Sequence, residues 1–152
     1  MPDIALQRTH GSYLTQSLER ATVADAMHPG ILSCEPDATL TEVARMMATH
    51  RVHCVAVVGI SHEEPECFVW GIVSDLDLVR AGVADADPEP SARALAAQPV
   101  VVVEPGMPLR DAAREMLSDG VSHVVVTDPV ARRPVGVLST LDVAGVLAWG
   151  EA

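Results

Sequence analysis

Lysine is absent from this 152-residue chain: all 10 basic residues are arginine, set against 21 acids, for a formal net charge of -11. The acid excess is even, with a net -6 over residues 1–76 and -5 over 77–152. No basic stripe can neutralise a phosphate backbone, so neither nucleic acid nor an anionic membrane is an expected partner. Aromatic residues make up only 3% against 49% hydrophobic, which predicts an aliphatic core and argues against disorder. Cysteine is scarce too. Cys34, Cys54 and Cys67 form no C-x-x-C pair, so neither a disulfide framework nor a four-thiolate zinc site is indicated. No apolar run approaches the roughly 20 residues of a membrane span, and residues 1–20 lack a signal-peptide core, so a soluble, cytoplasmic protein is expected.

What the chain does have is a copy of itself. At an offset of 69, Pro36-Asp37-Ala38-Thr39-Leu40 overlies Pro105-Gly106-Met107-Pro108-Leu109. Leu40, Val43, Ala44 and Met47 then match Leu109, Ala112, Ala113 and Met116, each set spaced i, i+3, i+4, i+7 as one apolar helix face. Asp37 or Thr39 can cap the first helix, and Pro108 suits the first turn of the second. Strand-like segments follow at Val52 to Val58 and Val121 to Val126. A further pair, Phe68 to Leu78 and Pro134 to Val143, matches at an offset of 65, so the length difference falls in polar hairpin loops. Upstream, Thr22 and Ser91 each open a short helix, followed by the brief apolar stretches Ile31-Leu32-Ser33-Cys34 and Val100-Val101-Val102-Val103.

The expected organisation is an N-terminal extension at 1–20, a first unit at 21–82, a linker at 83–89 and a second unit at 90–150. Tyr13, Leu14 and Leu18 allow one added helical turn in the extension. Each unit of about 60 residues is marginal alone, so one pseudo-symmetric α/β module is predicted.

Each unit closes on Gly-apolar-apolar-Ser-x-x-Asp: Gly71-Ile72-Val73-Ser74-Asp75-Leu76-Asp77 and Gly136-Val137-Leu138-Ser139-Thr140-Leu141-Asp142. A strand ends and a helix begins at the serine, so free amides and the helix dipole form a local anion site. The hydroxyl can donate to a phosphate, and the acid one turn later can accept from a vicinal diol such as ribose. The same Ser-x-x-Asp spacing is also that of a capping box, which needs no ligand. From the residues alone both readings stand.

In order and in duplicate, these motifs, with Met27-His28-Pro29 before the first strand, resemble a tandem pair of CBS domains, the regulatory module named for cystathionine β-synthase. The resemblance spans roughly residues 20–150 and implies two β-α-β-β-α units related by pseudo-twofold symmetry, an α+β fold. It implies clefts between the units that take adenosyl ligands: AMP, ADP, ATP or S-adenosylmethionine. Carried over residue by residue, Ser74 and Ser139 would contact phosphate, and Asp77 and Asp142 ribose. Ile31, Leu32 and Ser33, or Val100, Val101 and Val102, would hold the base. Arg51, at the first copy's strand start, and Arg80, shortly after Asp77, are further phosphate candidates without counterparts at Gly120 and Gly145. No cofactor is required; the adenosyl nucleotide is a regulatory ligand.

Metal-binding and enzyme readings fit these residues less well. His50, His53, Cys54, His62 and Cys67 carry metal-binding atoms, but His50 would end a helix while His53 and Cys54 begin a strand facing opposite ways, and the second copy keeps only His123. No Gly-x-Ser-x-Gly or Walker loop points to an enzyme. A ligand-free assembly module remains the alternative. The surplus of apolar residues at Leu76 to Ala81 and Leu141 to Trp149 predicts a homodimer, and the signal would pass to an unidentified effector protein.

Overall fold

The structure, a computed structural model, describes residues 17–60, 67–96 and 100–150. Tyr13, Leu14, His62 and Ala97-Gln98-Pro99 lie outside the described residues. The elements run α1 (Val23–Ala26), β1 (His28–Pro29), β2 (Ser33–Cys34), α2 (Leu40–His50), β3 (Cys54–Ile60), β4 (Cys67–Ser74), α3 (Asp75–Ala84), α4 (Ala92–Leu95), β5 (Val102–Val103), α5 (Leu109–Asp119), β6 (His123–Thr127), β7 (Pro134–Ser139) and α6 (Thr140–Trp149). The fold is α+β with two sheets, as the repeat predicts.

The two long helices form where the apolar stripes fall. Thr39 caps α2 by accepting from the Glu42 amide at 3.2 Å, and Glu42 returns the bond by accepting from the Thr39 amide at 2.9 Å. Glu89 also reaches this end, accepting from the Thr41 amide at 2.8 Å and from its hydroxyl. α2 buries Val43 and Met47, and α5 buries Leu109, Ala112 and Met116. Gly120, at φ 64°, terminates α5 in the left-handed conformation glycine adopts without strain.

Contacts divide the chain into two compact units, and the division does not follow the sequence repeat. One unit is contiguous, residues 30–100. Its sheet has the order β2-β3-β4, with β2 parallel and β4 antiparallel to β3. Val55, Ala56 and Val57 are buried in succession, as expected for a central strand covered on both faces. The other unit joins residues up to 29 with those from 101 onward. Its sheet runs β1-β7-β6-β5, and Val124, Val125 and Val126 repeat the buried triplet.

The offset arises because the short helices are exchanged between the copies. Val23 and Ala24 donate their amides to Met107 and Pro105 carbonyls (2.9 Å each), while Leu109 donates to Ala21 (2.9 Å). Residues 69 positions on do the same: Ala92 donates to Ala38 (2.7 Å), Arg93 to Pro36 (3.0 Å), and Leu40 to Pro90 (3.1 Å). Each four-residue helix therefore docks at the start of the other copy's long helix. Two short segments are also less regular than their composition suggests. Only Ser33–Cys34 and Val102–Val103 are strand, although Leu32 and Val101 still accept from the Ala56 and Val125 amides at 2.9 and 3.0 Å.

Candidate functional site

The strand-to-helix corners lie where β4 enters α3 and β7 enters α6. Ser74 and Ser139 are the helix N-caps, in extended backbone conformation. Ser74 Oγ accepts from the Asp77 amide at 3.2 Å, and Asp77 Oδ2 accepts from the Ser74 amide at 2.9 Å. Asp142 Oδ2 likewise accepts from the Ser139 amide at 2.8 Å, and Ser139 Oγ accepts from the Asp142 amide at 3.2 Å. Both couples are thus closed capping boxes, half-buried, with a helix N-terminus behind them.

Register places the remaining candidates. Cys54 pairs with Ser74, and Ser33 pairs with Ala56, itself opposite Ile72. Continuing the parallel register brings Ile31 level with Cys54, two strands from Ser74, or about 10 Å. That is a suitable span for a nucleoside lying across the sheet end. In the other sheet Val102 pairs with Val125, which pairs with Val137. Val101 and Val102 are therefore level with Leu138 and Val137, one and two residues before Ser139, as Leu32 and Ser33 are level with Val73 and Ile72 before Ser74.

The two arginines are less committed. Arg51 is the exposed C-cap of α2, in left-handed geometry at φ 53°. The bend delivers Arg51-Val52-His53 to the strand end that carries Ser74. Arg80 is exposed one turn after Asp77 on α3. Neither has an ion pair among the described residues.

Two histidine contacts were not read from the sequence. His53 Nδ1 lies 3.0 Å from Asp75 Oδ2 at the first turn of α3. His28 Nε2 lies 2.8 Å from Asp142 Oδ1. The signal for the second was present: His28 has Ala97 as its repeat counterpart. Sequence alignment keeps His28 in the first copy, whereas its pairing with Val137 brings it to the second copy's motif.

The motif glycines explain that placement. A Cβ on Gly136 would stand 2.3 Å from the His28 carbonyl oxygen, and one on Gly71 would stand 2.8 Å from Ala96 Cβ. Each glycine lets the exchanged segment lie directly against the strand.

The CBS domain family matches twice, over residues 23–84 and 92–148. The chain belongs to the CBS domain family. A CBS domain protein from Pyrobaculum aerophilum (PAE2072), solved in complex with AMP, is 26% identical with a TM-score of 0.71, over 84% of this chain and 96% of that one. The CBS domain pair of protein MJ0100, solved with 5'-methylthioadenosine and S-adenosyl-L-methionine, shares the fold at 18% identity and a TM-score of 0.70, covering 84% of this chain and 96% of that one. An uncharacterized Methanopyrus kandleri protein (MK0525) is 25% identical over 131 residues, 85% of this chain. The CBS pair spans 64% of that relative's length.

Outside the motifs, the described residues of this CBS pair hold no group of three or more His, Cys, Asp or Glu side chains placed for a metal. No described helix is long and apolar enough to cross a membrane. Cys34, half-buried beside β3, has its thiol pushed above the ordinary range, first by burial and then by the Glu42 carboxylate. Its neutral form therefore persists to higher pH than that of a free thiol. Mass-spectrometric alkylation near neutral pH should label Cys34 several-fold more slowly than a model cysteine peptide; equal rates would contradict this.

Proposed function

We propose that this CBS pair is a non-catalytic, cytoplasmic regulatory module that binds an adenosyl ligand, AMP, ADP, ATP or S-adenosylmethionine, and passes occupancy to an effector protein. Carrying the reading is the repeated corner: Ser and Asp one turn apart at a helix N-terminus, with an apolar segment two strands away. A ligand with a phosphate or other polar tail, a diol and a flat base matches those features in order. The AMP-bound relative at 26% identity supports the same choice. Ser74 and Ser139 contact the phosphate and Asp77 and Asp142 the ribose. Ile31, Leu32 and Ser33, or Val100, Val101 and Val102, flank the base. Arg51 and Arg80 offset the phosphate charge in a chain of net charge -11. Binding would signal by favouring one of two arrangements of the module.

The chain is proposed to act as a homodimer. Leu76, Val79 and Val83 on α3, and Leu141 and Leu147 on α6, are all more than half exposed and supply an apolar contact. A second reading rests on the closed capping boxes, which satisfy Ser and Asp without any ligand; the module would then serve assembly alone.

Calorimetric titration of nucleotide-stripped protein with AMP, ATP and S-adenosylmethionine separates the two. Saturable binding with one or more of them is expected. Asp77→Ala should weaken it at least about tenfold, the scale of losing hydrogen bonds to a charged group. No heat and no thermal stabilisation with any of the three would leave the assembly reading.

A further inference from the structure

The two corners share a sequence motif but not a state of hydrogen bonding. At Asp142 every motif group is already engaged. Oδ2 accepts from the Ser139 amide and also from Ser139 Oγ at 2.9 Å, so the hydroxyl proton is used. Oδ1 accepts from His28 Nε2 at 2.8 Å. The Asp142 side chain is only 8% exposed, whereas His28 is 77% exposed and lies over it from the solvent side.

At Asp77 the arrangement is open. Among the described residues its Oδ2 accepts only from the Ser74 amide, Oδ1 has no donor and the Ser74 hydroxyl no acceptor. The residue matching His28 is Ala97, whose side chain has no donor to offer.

We infer that His28 is an intramolecular competitor for the diol-binding carboxylate at Asp142, which makes the two corners unequal: the Asp77 corner takes ligand first, and the Asp142 corner only when the imidazole swings away. The inference rests on the proposed adenosyl site and adds the order of filling and the residue that sets it. A vicinal diol is held best when its two hydroxyls donate to both carboxylate oxygens, and at Asp142 the outer one is already contacted by a side chain tethered to the same sheet. That tether is firm. β1 is paired to β7 through His28↔Val137 and Pro29↔Gly136, so the imidazole is presented at high effective concentration while remaining free to rotate outward. A ligand arriving at Asp142 must displace a hydrogen bond to a charged group. One arriving at Asp77 meets an oxygen and a hydroxyl that have no further partner among the described residues.

The test is calorimetry on the full chain with AMP, ATP and S-adenosylmethionine in turn, comparing the unmodified protein with His28→Ala, His28→Gln and Asp77→Asn. Because His28 is exposed, its replacement leaves the core intact, and circular dichroism verifies this. The unmodified protein should show one tight site per chain and a second at least about tenfold weaker. His28→Ala should bring the second site to within a few-fold of the first. His28→Gln, whose amide can donate to Asp142, should restore part of the difference, and Asp77→Asn should remove the tight site while sparing the weak one. Ligand binding with two sites unaltered in His28→Ala, or a second site lost there, overturns the inference and leaves the adenosyl reading intact. Binding by none of the proteins to any of the three ligands overturns both.

Discussion

Leu109→Ala should cost about 2–5 kcal/mol of stability, the range expected for truncating a fully buried leucine. Leu109 is fully buried where α5 begins, in the cluster formed by Ala21, Val23, Val103, Met116, Val124 and Leu138. Its amide also donates to Ala21, so the backbone that would have to relax around the cavity is fixed by the docked α1 segment. With aromatics at 3%, the surrounding side chains are small aliphatics that reach poorly into the space left behind. Urea denaturation followed by circular dichroism measures the effect, and Leu117→Ala, on the same helix but 82% exposed, provides the control. A Leu109→Ala loss as small as that of Leu117→Ala would mean that α5 is not anchored at this position.

Gly136→Ala adds one methyl group and should destabilise by about 1–3 kcal/mol, the usual range for overpacking. The added carbon would meet the His28 carbonyl oxygen at 2.3 Å and Met27 Sδ at 3.3 Å. The nearest atom is backbone, so relief requires β1 to move off β7. Gly82→Ala is the matched contrast: a glycine inside α3 with nothing within 4 Å of the new carbon, it should stabilise by about 0.5–1 kcal/mol. Opposite signs in urea midpoints would identify close approach as the role of the motif glycine. Equal effects would remove that role. The same Gly136→Ala shift should withdraw His28 from Asp142, linking the motif's first residue to its last.

Most of the architecture was legible because it was written twice. One apolar stripe at Leu40, Val43 and Met47 could be chance, but its return at Leu109, Ala112 and Met116 fixes both helices. The strand-to-helix corners followed from Ser-x-x-Asp, which has only a few ways to satisfy the first amides of a helix. The partner of each short helix was not legible. Thr22 and Ser91 announce that helices start there, but four residues carry too little pattern to say which long helix they meet. The His28 contact was not legible for the same reason. A motif read along the chain assigns a residue to its neighbours in sequence, whereas β1 pairs with β7, more than 100 residues away. Arg51 and Arg80 remain candidates of composition and position, because an exposed arginine carries no local signature of what it will meet.

The exchanged short helices also bear on synthesis. Residues 30–100 make up one unit without interruption, so everything needed to fold it is present once the chain has been made as far as Val100. The earlier segment is in a different position. Ala21 and Val23, made first, belong to a core whose other members extend to Val146, so their apolar side chains must wait through most of translation. At about 5–20 residues per second that delay lasts roughly 6–25 seconds. Over the last part of that interval, the roughly 2–9 seconds between Val100 and Val146, the nascent chain presents one finished unit preceded by a short apolar segment still lacking its core.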